Sequence, residues 1–188
     1  MAEPATRRAP AVAATPWLRP LPPATRFVLR GAPEVLARAG GVLGLALPQS
    51  PCRAVVNGVY AALWQGPDEQ LLLEPDVALP ELGARLAAAL AGLAHSLVDV
   101  SHRQIGFELA GPRAAVLLNG ACPLDLDLRE FPVGMCTRTV FAKAEIVLWR
   151  TAAEVFHVEV WRSFAGYFAG LLAEIAREPA AGPGGGHR

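Results

Sequence analysis

Two stretches about eighty residues apart carry the same signals in the same order, and that order limits the fold more than any other feature of the chain. Phe27, Leu29 and Gly31 alternate with Val28 and Arg30 and lead into a helix-like run at residues 33–39. Phe107, Leu109 and Gly111 alternate in the same way and lead into residues 112–119. Leu63 and Trp64, followed by Glu69, have counterparts in Leu148 and Trp149, followed by Glu154, so the offset drifts only from 80 to 85 residues. Each half continues through two short strands to a closing helix, at residues 80–93 and 163–177. A strand, helix, strand, strand, helix unit used twice predicts an α+β fold, a largely antiparallel sheet with helices on one face.

This pattern places the domain at residues 26–177, with half-repeats at about 26–94 and 95–177. The preceding residues 1–25 hold six prolines among Ala, Thr and Arg, which predicts a flexible extended arm. Trp17 and Leu18 are out of place in such an arm; they either pack back onto the domain or dock on a partner. Residues 178–188, EPAAGPGGGHR, read as disorder. In the second closing helix, Ser163 is a candidate cap, and Phe164, Tyr167, Phe168, Leu171, Leu172 and Ile175 recur at helical spacing. Gly166, Gly170 and Ala173 form a small-residue stripe expected to lie against the sheet.

Charged residues make up only 18% of the 188, against about 25% in an ordinary soluble protein. So few charges favour an exterior partly covered by another protein. Seventeen basic residues balance seventeen acidic ones, which argues against a nucleic-acid partner. The longest apolar run, residues 82–98, is broken by Arg85 and His95, so no membrane span is expected. The three cysteines, Cys52, Cys122 and Cys136, make no paired framework or C-x-x-C, and the N-terminal region is a poor export signal. A reduced, cytoplasmic chain follows.

Candidate chemistry is sparse. In Asp99-Val100-Ser101-His102-Arg103, strand alternation keeps Ser101 and His102 apart. Without a base between them, Asp99 does not activate Ser101, and a strand end with a turn is expected. Leu124-Asp125-Leu126-Asp127-Leu128-Arg129 reads as an alternating strand with its carboxylates outward, about 7 Å apart on one face. The four histidines are scattered without metal-ligand spacing, and no glycine run has the spacing of a phosphate loop. No catalytic, cofactor-binding or metal residue is assigned. With residues 151–154 as a turn, Val147 and Trp149 share a core face with Phe156, Val158 and Val160. The other face then carries Arg150, His157, Glu159 and Trp161, a mixture of the kind found at interface centres. His102, Arg103, Arg138, Arg150, His157, Glu159, Trp161 and Arg162 are the candidate interface residues.

Several motifs, in order, resemble one family. Asp99-Val100-Ser101-His102-Arg103 is one, followed by Cys122-Pro123-Leu124-Asp125-Leu126-Asp127 and Phe131-Pro132-Val133-Gly134. Cys136-Thr137-Arg138-Thr139, Ala144-Glu145-Ile146-Val147-Leu148-Trp149-Arg150 and Glu159-Val160-Trp161-Arg162-Ser163-Phe164 complete the set. Together they resemble the gamma subunit of heterotetrameric sarcosine oxidase over about residues 95–177, while the first half agrees in length and layout. Phe141-Ala142-Lys143 departs mildly from the family's Phe-Gly-Lys.

The resemblance implies a non-catalytic structural subunit, inactive alone, beside alpha, beta and delta subunits. The assembly would demethylate sarcosine to glycine, with formaldehyde or methylenetetrahydrofolate and hydrogen peroxide as further products. FAD, FMN, NAD and zinc would belong to the partner subunits and none to this chain. The implied fold is similar to the folate-binding domains of aminomethyltransferases such as the glycine cleavage T-protein. A stand-alone folate-binding or one-carbon transfer protein of the same fold is the alternative.

Overall fold

The computed structural model describes residues 13–74 and 81–177. The tail at 178–188 and the first twelve residues of the expected arm lie outside the described residues. The first half contains β2 (Thr25–Gly31), α1 (Pro33–Leu43), β3 (Ala54–Val56), β4 (Ala61–Gly66), β5 (Glu69–Glu74), α2 (Leu82–Ala89) and β6 (His95–Asp99), preceded by β1 (Leu18–Pro20). The second half contains β7 (Gln104–Ala110), α3 (Ala114–Asn119), β8 (Cys136–Phe141), β9 (Ala144–Ala152), β10 (Val155–Trp161) and α4 (Ala165–Arg177). The expected α+β fold with antiparallel strands is present.

The strands divide between two five-stranded sheets, in the orders β3-β4-β5-β2-β6 and β8-β9-β10-β7-β1. Written this way the duplication is plain, because each strand of one sheet has its counterpart at the same place in the other. The place beside β7 that corresponds to β6 is filled from the N-terminus by β1, where Leu18 faces Leu109 and Pro20 faces Phe107. Leu18 is buried in the second-half core and Trp17 packs on it. Residues 18–20 of the expected flexible arm are therefore part of the sheet, because Leu18 has an apolar pocket to fill. Residues 95–99 likewise belong with the first sheet, paired to β2, although the sequence boundary falls before them.

Each sheet carries its helices on one face, as the pattern predicts. Phe27, Leu29, Ala62 and Leu72 meet α1 and α2 on one side of the molecule. Phe107, Phe141, Ile146, Leu148, Phe156, Val158 and Val160 meet α3 and α4 on the other. Phe168 of α4 anchors the second core, with ring centroids 5.4 Å from Phe107 and 4.9 Å from Phe141. Aromatic pairs at such spacing add about 0.5–1.5 kcal/mol beyond burial. The opposite faces press together through Leu63, Leu71, Leu73, Cys136 and Val147.

The two glycines of the repeated motif are required for different reasons. A β-carbon on Gly31 would lie 2.6 Å from Val35, whereas Gly111 has φ +115°, a conformation that side chains rarely adopt.

Three local readings change. Residues 124–129 form a loop, because Asp125 and Asp127 accept hydrogen bonds from the backbone amides of Asp127 and Arg129 at 2.8 and 3.0 Å. Such turns satisfy the backbone locally and compete with strand pairing. Ser163 sits inside a short 3-10 turn, Arg162–Phe164, that precedes α4, rather than capping the helix. In α4 the large residues Phe168 and Leu172 face the sheet, while Gly166 and Gly170 are exposed with nothing near them. Large side chains bury more apolar area than glycines, and this decides the rotation of the helix.

Candidate functional site: the cleft between the sheets

The inner faces of the sheets are unusually polar. Alternation along β2 turns Phe27 and Leu29 outward to the helices and Arg26, Val28 and Arg30 inward. On β10 the same alternation turns His157, Glu159 and Trp161 inward. The hydrophobic contact between the sheets occupies the middle of this space, and a cavity opens at each end.

The first cavity, of about 340 Å³, is lined by Leu21, Val56, Val59 and Tyr60 around a charged base of Arg26, His157 and Glu159. Arg26 donates through Nε and Nη2 to the two carboxylate oxygens of Glu159 at 2.7 and 3.0 Å, and through Nη1 to the Ala24 carbonyl at 2.9 Å. His157 Nε2 lies 2.7 Å from Glu159 Oε1. Glu159 is completely buried and Arg26 is 2% exposed. Burial alone would raise the Glu159 carboxyl, but the Arg26 charge and the His157 bond prevail and hold it below the usual glutamate range. Gly106 on β7 makes room for this pair, since a β-carbon there would lie 3.2 Å from both Arg26 and Glu159.

The second cavity, of about 420 Å³, is lined by polar groups including Arg30, Gln65, Glu69, Arg103, Gln104 and Arg138. Arg30 and Arg138 both donate to Glu69, one on each carboxylate oxygen. Burial opposes ionisation of Glu69, yet these two guanidinium groups keep its carboxyl below the ordinary range. Arg103 stands apart. Its guanidinium lies 5.0 Å from the Trp161 ring, and its Nε is buried without a hydrogen-bond partner. The side-chain oxygens of Gln65 and Gln104 are also buried and unpartnered, and Gln104 is only 7% exposed.

The sequence-derived interface residues are split by this geometry. Arg103, Arg138 and Trp161 meet at the second cavity, next to exposed His102. His157 and Glu159 belong to the first, where Glu159 is sealed inside. Arg162 borders a small pocket beside Gln104. Arg150 is a correction: it is 3% exposed, lies over the Phe156 ring at 4.5 Å and donates to the Phe131 carbonyl.

The cause is register. Ala152 pairs with Val155, and a bulge then sets Arg150 opposite Phe156 and Trp149 opposite His157. That one-residue shift exchanges the two faces of β9. Trp149 therefore lies between the sheets, and Ile146 and Leu148 join the helix-side core. Arg26, Gln65 and Gln104 were not singled out in the sequence, and Glu69 only as a mark of the repeat. The alternation of Arg26, Val28 and Arg30 against Phe27 and Leu29 is the signal that marks β2 as polar inward.

Ser101 and Cys136, two side chains that could in principle act as nucleophiles, are held in inert settings. Ser101 Oγ donates to Asp99 at 2.5 Å and accepts from the Arg26 backbone amide at 2.9 Å, as a strand-end turn requires. Burial pushes the Cys136 thiol up to about 12, so it carries almost no thiolate at neutral pH. Among the described residues, no cluster of three His, Cys, Asp or Glu side chains could hold a metal ion. No helix among them is long and apolar enough to cross a membrane.

Comparison with known proteins adds the relationship. The family model described as "Sarcosine oxidase, gamma subunit family" matches residues 31–178. The sarcosine oxidase subunit gamma of Corynebacterium sp. (strain P-1) is 34% identical over 178 residues, covering 90% of this chain and 86% of that protein. Its namesake from Arthrobacter sp. is 34% identical over 145 residues, covering 75% and 70%. A chain of the heterotetrameric sarcosine oxidase from Corynebacterium sp. U-96, solved with pyrrole 2-carboxylate, superposes with a TM-score of 0.77 at 30% identity, covering 87% of each chain. Aminomethyltransferase T of the glycine cleavage system from Bartonella henselae shares the fold alone. Its TM-score is 0.62 at 14% identity, over 82% of this chain and 44% of that one.

Proposed function

The chain belongs to the sarcosine oxidase gamma subunit family, and from that premise we propose that it is a non-catalytic structural subunit of a heterotetrameric sarcosine oxidase. One observation carries the reading: the likeness to a chain of a solved heterotetramer runs through both sheets, nearly end to end. The chemistry supports it, because Ser101 is tied into a turn and the Cys136 thiol is held protonated. The reaction of the assembly is the oxidative demethylation of sarcosine to glycine, with formaldehyde or methylenetetrahydrofolate and hydrogen peroxide. FAD, FMN, NAD and zinc reside in the alpha, beta and delta subunits, and the assembly is cytoplasmic. Free Cys52, Cys122 and Cys136 suit a reducing compartment.

Of the candidate interface residues, Arg103, Arg138, Trp161, His102 and Arg162 face a partner. Arg150, His157 and Glu159 hold the subunit together. Trp161, Phe164 and Tyr167, each about 40% exposed, add the apolar surface that such a contact buries. Co-expression with the larger chains followed by size-exclusion chromatography tests the reading. The expected result is co-elution with flavin-bearing polypeptides; elution of a soluble monomer apart from them contradicts it.

A further inference from the structure

The second cavity adjoins an open strand edge, that of β6. Sheet edges are templates for pairing with another chain, and proteins blunt them with short strands, prolines or covering segments. β1 and β3 are edges of three residues each, and β1 ends in Pro20. β8 is met at its start by residues 52–54, with the Cys136 amide donating to the Cys52 carbonyl and the Ala54 amide to the Gly134 carbonyl. Among the described residues, β6 has none of these protections. It runs for five residues, HSLVD, and is exposed along its length except for half-buried Leu97.

The pairing fixes which groups point outward. The Val100 amide donates to the Arg26 carbonyl, so Ser96 and Val98 turn their backbone groups towards β2. The amides and carbonyls of His95, Leu97 and Asp99 then point away from the sheet. The side chains of Ser96 and Val98 face the cavity, and Val98 is 49% exposed.

The cavity itself is electrostatically incomplete. Three arginines, Arg30, Arg103 and Arg138, face two glutamates, Glu69 and Glu145. Glu69 engages both Arg30 and Arg138, and no carboxylate among the described residues bonds Arg103. Gln65 and Gln104 add two buried acceptors without donors. A buried polar atom without a partner is destabilising until an occupant bonds it. An occupant that fits must therefore bring a carboxylate for Arg103 and N–H groups for the amide oxygens and the β6 carbonyls.

We propose that the open edge of β6 and the adjoining cleft receive an extended acidic segment of a larger partner chain, which adds a strand to the first sheet and bonds its carboxylate to Arg103. The proposal rests on the subunit reading above and names the surface and chemistry of the contact. Main-chain pairing with β6 supplies affinity, and the cleft supplies selection for an acidic side chain. Guanidinium stacking on Trp161 holds Arg103 in place before the partner arrives.

Hydrogen exchange of the full chain, alone and within the co-expressed assembly, reads this directly. The expected result is at least about tenfold slower exchange in the assembly at the outward amides of residues 95–99, those of His95, Leu97 and Asp99. Arg103→Glu should weaken association by about tenfold or more while the unfolding midpoint of the isolated chain shifts only slightly, by the loss of the Trp161 stack. Arg103→Ala, which adds no repulsion, should fall between it and the parent. An assembly that forms with residues 95–99 still exchanging freely, or that tolerates Arg103→Glu, overturns the proposal and leaves the subunit reading standing. Failure of the unaltered chain to assemble removes both. Protection of residues 95–99 in the isolated chain at high concentration assigns the edge to self-pairing and overturns the acidic partner.

Discussion

The two ends of the inter-sheet cleft share strands β2, β4, β5, β7, β9 and β10 and solve opposite problems. At one end Arg26 is locked to Glu159 in a two-bond pair with His157 behind it, and each partner is sealed from water. At the other end Arg103 stacks on Trp161 with no carboxylate bonded to it, and two buried amide oxygens lack donors. The first end pairs its buried charges internally and leaves only the Trp149 Nε1 donor of its lining without a partner; the second leaves Arg103 Nε and two amide oxygens unpartnered. Under the proposal made above, one end serves the stability of the subunit and the other its assembly.

The sharpest way to break this contrast is to unmake the completed end. Arg26→Ala leaves the Glu159 carboxylate buried without its partner, which should cost about 3–5 kcal/mol in urea unfolding. A loss under about 1 kcal/mol would show that the pair is not what holds the sheets together at that end.

A second comparison sets β1 against β6, the counterpart edge strands. Leu18→Ala should cost about 2–5 kcal/mol by the same measurement, because its side chain is buried in the second-half core. Val98→Ala on β6 should cost well under 1 kcal/mol, since about half of that side chain is already in water.

The pH dependence follows from the direction of the Glu159 shift. Its folded carboxyl lies below the ordinary glutamate value of 4.5, so the unfolded chain takes up the proton first as pH falls. This contribution to stability is fully present above that value and is lost as pH falls through the lower, folded one. Denaturant midpoints of the parent chain should therefore drop in that acid range. Glu159→Gln should be less stable at neutral pH and show a flatter acid limb; an unchanged slope would remove Glu159 from the account.

The smallest effect belongs to the incomplete end. Arg103→Ala should change the stability of the isolated chain by about 1 kcal/mol at most, the scale of one partly exposed stacking contact. A thermal scan showing a larger loss would make Arg103 a structural residue like Arg26.

Much of the fold is legible in the chain. The spacing of Phe27, Leu29 and Gly31 against Phe107, Leu109 and Gly111 locates the duplicated strands, and helical periodicity locates the four helices within a few residues. The division into two sheets is not legible, because β1 reaches its place beside β7 across the whole first half of the domain, with Leu18 opposite Leu109, and no local pattern encodes that pairing. The cleft was half legible. Arg103, Arg138 and Trp161 stand out by residue type, but Arg150 was misplaced by a bulge, and a bulge leaves no mark in hydrophobic alternation. Gln65 and Gln104 stand out only when their side-chain oxygens are seen to be buried without donors. The Asp125 and Asp127 turns show the same limit, since alternating Leu and Asp fits a strand until the carboxylates bond their own backbone.

The central claim is that this chain is one subunit of an assembly of four different chains. Native mass spectrometry of the co-expressed subunits measures it most directly. The account predicts a particle holding one copy of this chain with three other polypeptides. Detection of this chain only as a monomer, beside an intact particle of the other three, would contradict it.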